Sequence, residues 1–216
     1  MPALTSSQAR RVYDRIGRAQ DWQAFYEDRA VDRLLAHSEL GSASSVFELG
    51  CGTGRLAARL MGLLGPDASY RGVDLSPVMV SLARARLAGW PDRARVALVD
   101  GSLPLPCATG SVERFVSSFV LDLLASDHAR AVLAEARRIL APDGLACLAS
   151  LAPGVSRAER AVSRAWMAAW ERAPSLVGGC RPISLLRLVG AEWQVRHHSL
   201  VRAYGLVTEV VVASVP

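Results

Sequence analysis

The chain of 216 residues contains neither lysine nor asparagine, so every one of its 25 basic residues is arginine. Exclusive use of one basic residue points to codon bias across a genome, and it weakens what a formal charge of +5 would otherwise say about a polyanionic partner. Nucleic acid is therefore disfavoured as a partner. Cysteine is scarce as well. Cys51, Cys107, Cys147 and Cys180 are widely spaced and form no C-x-x-C pair, which argues against a zinc site and against a thioredoxin-like motif. They read as reduced, mostly buried thiols, and no metal is expected. Although 51% of the residues are hydrophobic, no charge-free run approaches the ~20 residues that a membrane span requires. The first 20 residues interleave Arg10, Arg11, Arg15 and Arg18 with apolar positions, without the continuous apolar centre of a secretory signal, so a cytoplasmic location is expected. With no internal repeat and no low-complexity linker, the length fits a single domain over 1–216.

What the chain does have is an alternation of hydrophobic periods. Thr5-Ser6-Ser7-Gln8 reads as a capping box opening a helix with Val12, Ile16 and Ala19 at helical spacing, and Asp21 is placed to cap a second helix carrying Trp22, Phe25, Tyr26 and Leu34. These form a helical cover over 1–40. From 45 to 150, strands are expected at Val46 to Leu49, Tyr70 to Val73, Val96 to Val99, Phe115 to Phe119 and Leu145 to Ser150. Helices lie between them, one from Arg55 to Leu64, one capped by Ser76 with Pro77 at its first position, and one that Asp127 would cap. Over 151–216 the pattern predicts a helix from Ala158 to Ala173, a break at Gly178-Gly179, a short helix from Ser184 to Val189, and two strands close enough to pair as a hairpin. The expected fold is α/β, a doubly wound and mostly parallel sheet with helices on both faces.

The most specific signal is Val46-Phe47-Glu48-Leu49-Gly50-Cys51-Gly52-Thr53-Gly54, a short apolar strand with an acid, running into three alternating glycines ahead of a helix. Glycine lets the backbone turn tightly and lets a ligand approach the free N–H groups of the helix start. A dinucleotide fingerprint would require a small residue at position 55, and Arg55 stands there, which disfavours an NAD-type oxidoreductase. Asp74 follows the glycine loop by about 20 residues at the end of the next strand, the interval expected of a ribose-binding acid, with Leu75 beside it.

The E-x-G-x-G-x-G spacing resembles the first motif of class I S-adenosylmethionine-dependent methyltransferases. Leu103-Pro104-Leu105-Pro106 followed by Ser118-Phe119-Val120-Leu121 is similar to the methyltransferase type 11 group, which includes the ubiquinone and menaquinone C-methyltransferases. The resemblance implies a seven-stranded sheet whose last strand inserts antiparallel beside the fifth, and S-adenosylmethionine as cofactor. It implies cofactor contacts from Glu48, Gly50, Cys51, Gly52 and Gly54. Asp100, with Gly101 and Ser102, would meet the adenine, while Ser118 and Phe119 would pass close to the methionine portion. The chain departs from the group at Asp122, where many relatives have histidine, and at Glu113-Arg114-Phe115, where they have Phe-Asp.

A sulfonium methyl is already activated, so positioning and exclusion of water matter more than a dedicated base, and no catalytic residue is assigned. The acceptor is narrowed by absences. No [N/D]-P-P-[F/Y] element of the amide and adenine N-methylating enzymes follows the fourth strand, the Lys-Asp-Lys-Glu set lacks its lysines, and the asparagine ligand of catechol-type enzymes is missing. A small-molecule acceptor follows, and the aromatic pairs Trp22/Tyr26 and Trp166/Trp170 on the two covers suit an apolar or aromatic one, with Tyr13 and Asp122 as further candidate contacts; packing of these rings onto the sheet is the alternative. Arg11, Arg15 and Arg18 share a helix face that would suit an acidic group on the acceptor or an anionic membrane surface. A noncatalytic binder of the cofactor is the alternative from another class. Oligomeric state is not legible.

Overall fold

The computed structural model describes residues 3–216. Seven strands form one sheet: β1 (Ser45–Leu49), β2 (Ser69–Asp74), β3 (Ala94–Leu98), β4 (Val112–Ser118), β5 (Leu140–Ala152), β6 (Gln194–Ala203) and β7 (Leu206–Ser214). Their order is β3-β2-β1-β4-β5-β7-β6. The first five are parallel, and β7 inserts antiparallel between β5 and β6. The chain reverses its direction of winding between β1 and β4, which pair at Val46 with Arg114 and Leu49 with Ser117. That reversal opens a crevice at the carboxyl ends of the strands.

Helices cover both faces: α1 (Ser6–Ile16), α2 (Ala24–His37), α3 (Arg55–Leu63), α4 (Pro77–Arg86), α5 (Ser126–Ile139), α6 (Arg157–Arg172) and α7 (Leu185–Val189). The sheet's central strands are buried on both sides, so their residues divide by alternation into two cores. Val46, Tyr70, Val116 and Cys147 face α2, α3 and α4, while Phe47, Val73, Phe115 and Leu148 face α5 and α7. Local chemistry sets the helix starts. Thr5 and Gln8 form the expected capping box, a second one between Ser156 and Glu159 opens α6, and Ser76 caps α4 with Pro77 in the first turn. Two expected caps are not formed. A 3-10 turn over Gly17–Gln23 absorbs Asp21, and α2 begins at Ala24 without a side-chain cap. Asp127 lies inside α5, after Ala125, and takes up Arg130 instead.

Candidate functional site

The ends of β3, β2, β1 and β4 lie side by side, and a cleft of about 470 Å³ runs across them beneath α1. The β1 end supplies Leu49, Gly50 and Gly52, the β2 end Val73, Asp74 and Leu75, the β3 end Val99, Gly101 and Ser102, and the β4 end Ser118, Phe119 and Val120. Gly50 has φ 71°, and a side chain there would collide with Val120, so the chain passes the switch point only as glycine. Asp74 sits at the centre. Its Oδ2 accepts the Gly52 amide at 3.0 Å and its Oδ1 accepts the Ser76 amide at 2.8 Å. Burial raises its pKa, and those backbone amides oppose the rise. Ser76 is the helix cap, giving its oxygen to the Met79 amide, which leaves Asp74 facing the cleft.

The cover closes from above. Leu4, Ser6, Ala9 and Tyr13 of the α1 segment line the cleft. Its seat is polar: Ser76 donates to Asp14 at 2.6 Å, Thr53 of the glycine loop donates to Asp21 at 2.5 Å, and Arg86 reaches both Asp21 and Thr53. Asp21 thus ties the cover to the loop rather than capping a helix. Gln20, which sequence reasoning missed, lines the cleft with its Oε1 buried and without a hydrogen-bond partner, close to the space above Gly52. An orphaned buried acceptor beside the glycine loop fits a ligand that brings a donor there. His128, Leu123 and Leu124, also missed, form the wall contributed by the β4–α5 turn and α5. None carried a motif in the sequence; only the fold brings them to the cleft.

Several expected site residues do not line this cleft. Glu48 is 2% exposed and absent from the cleft wall; it accepts the Tyr70 hydroxyl at 2.6 Å, and burial pushes its pKa up to about 8. With Cys51, a buried filler whose thiol pKa burial also raises, it faces a small polar cavity between the glycine loop and α2. Gly54 is a packing residue: a Cβ there would stand 2.8 Å from Ala83 Cα, so α3 and α4 touch at this point. This is the close approach that a dinucleotide fingerprint assigns one residue later, which leaves Arg55 free to pair with Glu27 and Asp28 of α2. Asp100 is exposed and folded back on its own turn, accepting the Ser102 amide at 2.9 Å and hydroxyl at 2.6 Å, while its neighbours Gly101 and Ser102 do line the cleft.

Of the candidate acceptor contacts, only Tyr13 reaches the cleft, with its hydroxyl donating to the Gly178 carbonyl at 3.2 Å. Trp22 is 83% exposed. Tyr26 is buried behind the β4 end, edge-on to Phe119 at 6.0 Å. Asp122 is fully buried, with one oxygen accepting the Leu151 amide at 3.0 Å and the other unpartnered, and burial lifts its pKa to about 7. Trp166 and Trp170 donate their indole N–H groups to the carbonyls of Cys180 and Gly179, so they pin the 178–180 loop to α6. His197 stacks on His37 at 3.5 Å, and His198 meets Glu209 at 2.9 Å.

A family model described as a methyltransferase domain matches residues 46–144. The chain is 32% identical over 155 residues to a malonyl-[acyl-carrier protein] O-methyltransferase of Laribacter hongkongensis, covering 68% of this chain and 51% of that protein. It is 34% identical over 146 residues to a trans-aconitate 2-methyltransferase of Methylobacterium radiotolerans, covering 65% and 53%. The chain thus spans about half the length of these relatives. Among solved structures, the N-methyltransferase NodS from Bradyrhizobium japonicum, in complex with S-adenosyl-L-homocysteine, superposes with a TM-score of 0.72 at 18% identity, covering 96% of this chain and 98% of that one, which shows the shared fold.

Proposed function

Residues 46–144 form a methyltransferase domain of the class I, S-adenosylmethionine-dependent family, and from that premise we propose that the chain carries a methyl group from this cofactor to a small apolar molecule held beneath α1. The observation that carries the reading is Asp74. A carboxylate whose two oxygens are each fixed by a backbone amide, facing a cleft beside a glycine loop, is oriented to accept both hydroxyls of a ribose. The strand order then sets the direction of the ligand. Its base lies toward Val99, Gly101 and Ser102, and its methionine portion toward Gly52, Ser118 and Gln20, whose unpartnered oxygen accepts the amino group. The cofactor, when bound, supplies a methyl group on a positively charged sulfur.

What the chain's own residues contribute is placement and dryness. Leu4, Ala9, Leu123 and Phe119 give the cleft apolar walls, and Ser6, Tyr13 and Gln20 are polar side chains of the cover that line it. Positioning a nucleophile in line, with water excluded, accounts for much of such a reaction. Asp122 is fully buried and one of its oxygens holds the Leu151 amide, so it acts as a strut between the β4 and β5 ends rather than as an acceptor contact. The test is transfer itself. The protein is incubated with S-adenosylmethionine carrying an isotopically labelled methyl group and with solvent-extracted pools of apolar metabolites. Label should appear in an organic-soluble product. Cofactor binding without label transfer to any pool would instead establish a noncatalytic binder.

A further inference from the structure

We propose that the outer face of the N-terminal cover seats the protein on an anionic lipid bilayer. Arg11 and Arg15 on α1, Arg18 and Trp22 in the Gly17–Gln23 turn, and Phe25 and Arg29 on α2 are all exposed, with Arg11 and Arg15, and again Phe25 and Arg29, four apart on their own helices. The inner residues of the same segment, Ala9 and Tyr13, line the cleft. A ring as large as Trp22 at 83% exposure and Phe25 at 59% is an uncompensated apolar surface. Tyr204, at the turn between β6 and β7 and 74% exposed, lies edge-on to Phe25 at 5.1 Å and widens the patch.

Charge is sorted across the cover. Five of its acids are held by partners, Asp14 by Ser76 and Arg10, Asp21 by Arg86, Glu27 and Asp28 by Arg55, and Asp32 by Arg59, while Glu39 lies exposed beyond the end of α2. Arg11, Arg15, Arg18 and Arg29 have no ion pair among the described residues. The exposed residues of the cover are therefore cationic on α1 and at Arg29, and aromatic at Trp22 and Phe25 where α2 begins. That is the composition of an interfacial segment, where arginines meet lipid phosphates and Trp, Tyr and Phe enter the headgroup boundary. The surface stands independently of the reaction. Its use rests on the function proposed above: the same segment that touches the bilayer lines the cleft, so an apolar acceptor would pass from the lipid phase under α1.

Sedimentation with vesicles tests this, using the whole protein at low salt with phosphatidylcholine alone and with phosphatidylcholine mixed with phosphatidylglycerol. The wild type should bind the mixed vesicles only, with release at high salt and blue-shifted tryptophan emission quenched by brominated lipid. The R11Q/R15Q/R18Q/R29Q variant should lose affinity by about five-fold per arginine. W22A/F25A should lose the quenching. Both variants should keep the melting temperature and S-adenosylhomocysteine affinity of the wild type. Failure of the wild type to bind, equal binding to neutral vesicles, binding only to acidic proteins, or unchanged binding by both variants would overturn the proposal. Vesicle binding without cofactor affinity would instead refute the function and leave the surface standing.

Discussion

Replacing Glu48 with glutamine separates a structural acid from a ligand-holding one. Glu48 is buried at 2% exposure, its partner is the Tyr70 hydroxyl, and burial moves its pKa from the usual 4.5 to about 8. An acid whose pKa is raised by folding contributes fully below its unfolded value, and that contribution is lost as pH rises through the folded value. The window here runs from about pH 4.5 to about pH 8. Between pH 5.5 and 8.5 the loss amounts to about 3 kcal/mol. Glutamine has the same shape, still accepts from Tyr70 and does not titrate. Urea unfolding of both proteins at the two pH values should show the wild type losing about 3 kcal/mol more than Glu48→Gln across that interval. Glu27 and Asp122, both raised to about 7 by burial, lose stability in the same direction but are common to both proteins and cancel in the comparison. Parallel stability curves would show that Glu48 is ionised in the fold, and a neutral, buried Glu48 paired with Tyr70 would be ruled out.

Gly54→Ala should cost about 2–4 kcal/mol of stability, combining a positive φ with overpacking against Ala83, as measured by chemical denaturation. Asp100→Ala should leave S-adenosylhomocysteine affinity within about three-fold in a calorimetric titration, because its carboxylate serves the Ser102 turn; a larger loss would return it to the adenine site. Trp170→Phe removes the indole bond to the Gly179 carbonyl and should lower stability by about 1–2 kcal/mol, with methyl transfer per folded molecule retained.

The fold was legible because local signals and global pattern agreed. The capping box at Thr5, the Ser76-Pro77 start and the alternation of strands and helices each marked an element that formed. Asp21 misled because a capping residue and a tertiary hydrogen-bond acceptor look alike in sequence; its partners Thr53 and Arg86 lie far along the chain. The glycines and Asp74 were legible through their spacing from one strand end to the next. Asp100 sits at the expected strand end, but side-chain direction within a two-residue turn is decided by Ser102, which no spacing reveals. Trp166 and Trp170 share a helical stripe whether they face a ligand or a loop, and no spacing reveals that their indoles bond to the carbonyls of Cys180 and Gly179. Gln20 and His128 lacked any pattern because the cleft is assembled from segments more than 100 residues apart.

The central claim is that Asp74 and the glycine loop hold S-adenosylmethionine. Isothermal titration of S-adenosylhomocysteine into the wild type and into a folded Asp74→Ala variant tests it directly, with NAD titrated in parallel. The account predicts binding of S-adenosylhomocysteine but not NAD, and a loss of about 1.5–3 kcal/mol, roughly ten- to 150-fold in affinity, on removing the carboxylate. Equal affinity in the two proteins, or selective binding of NAD, would contradict it.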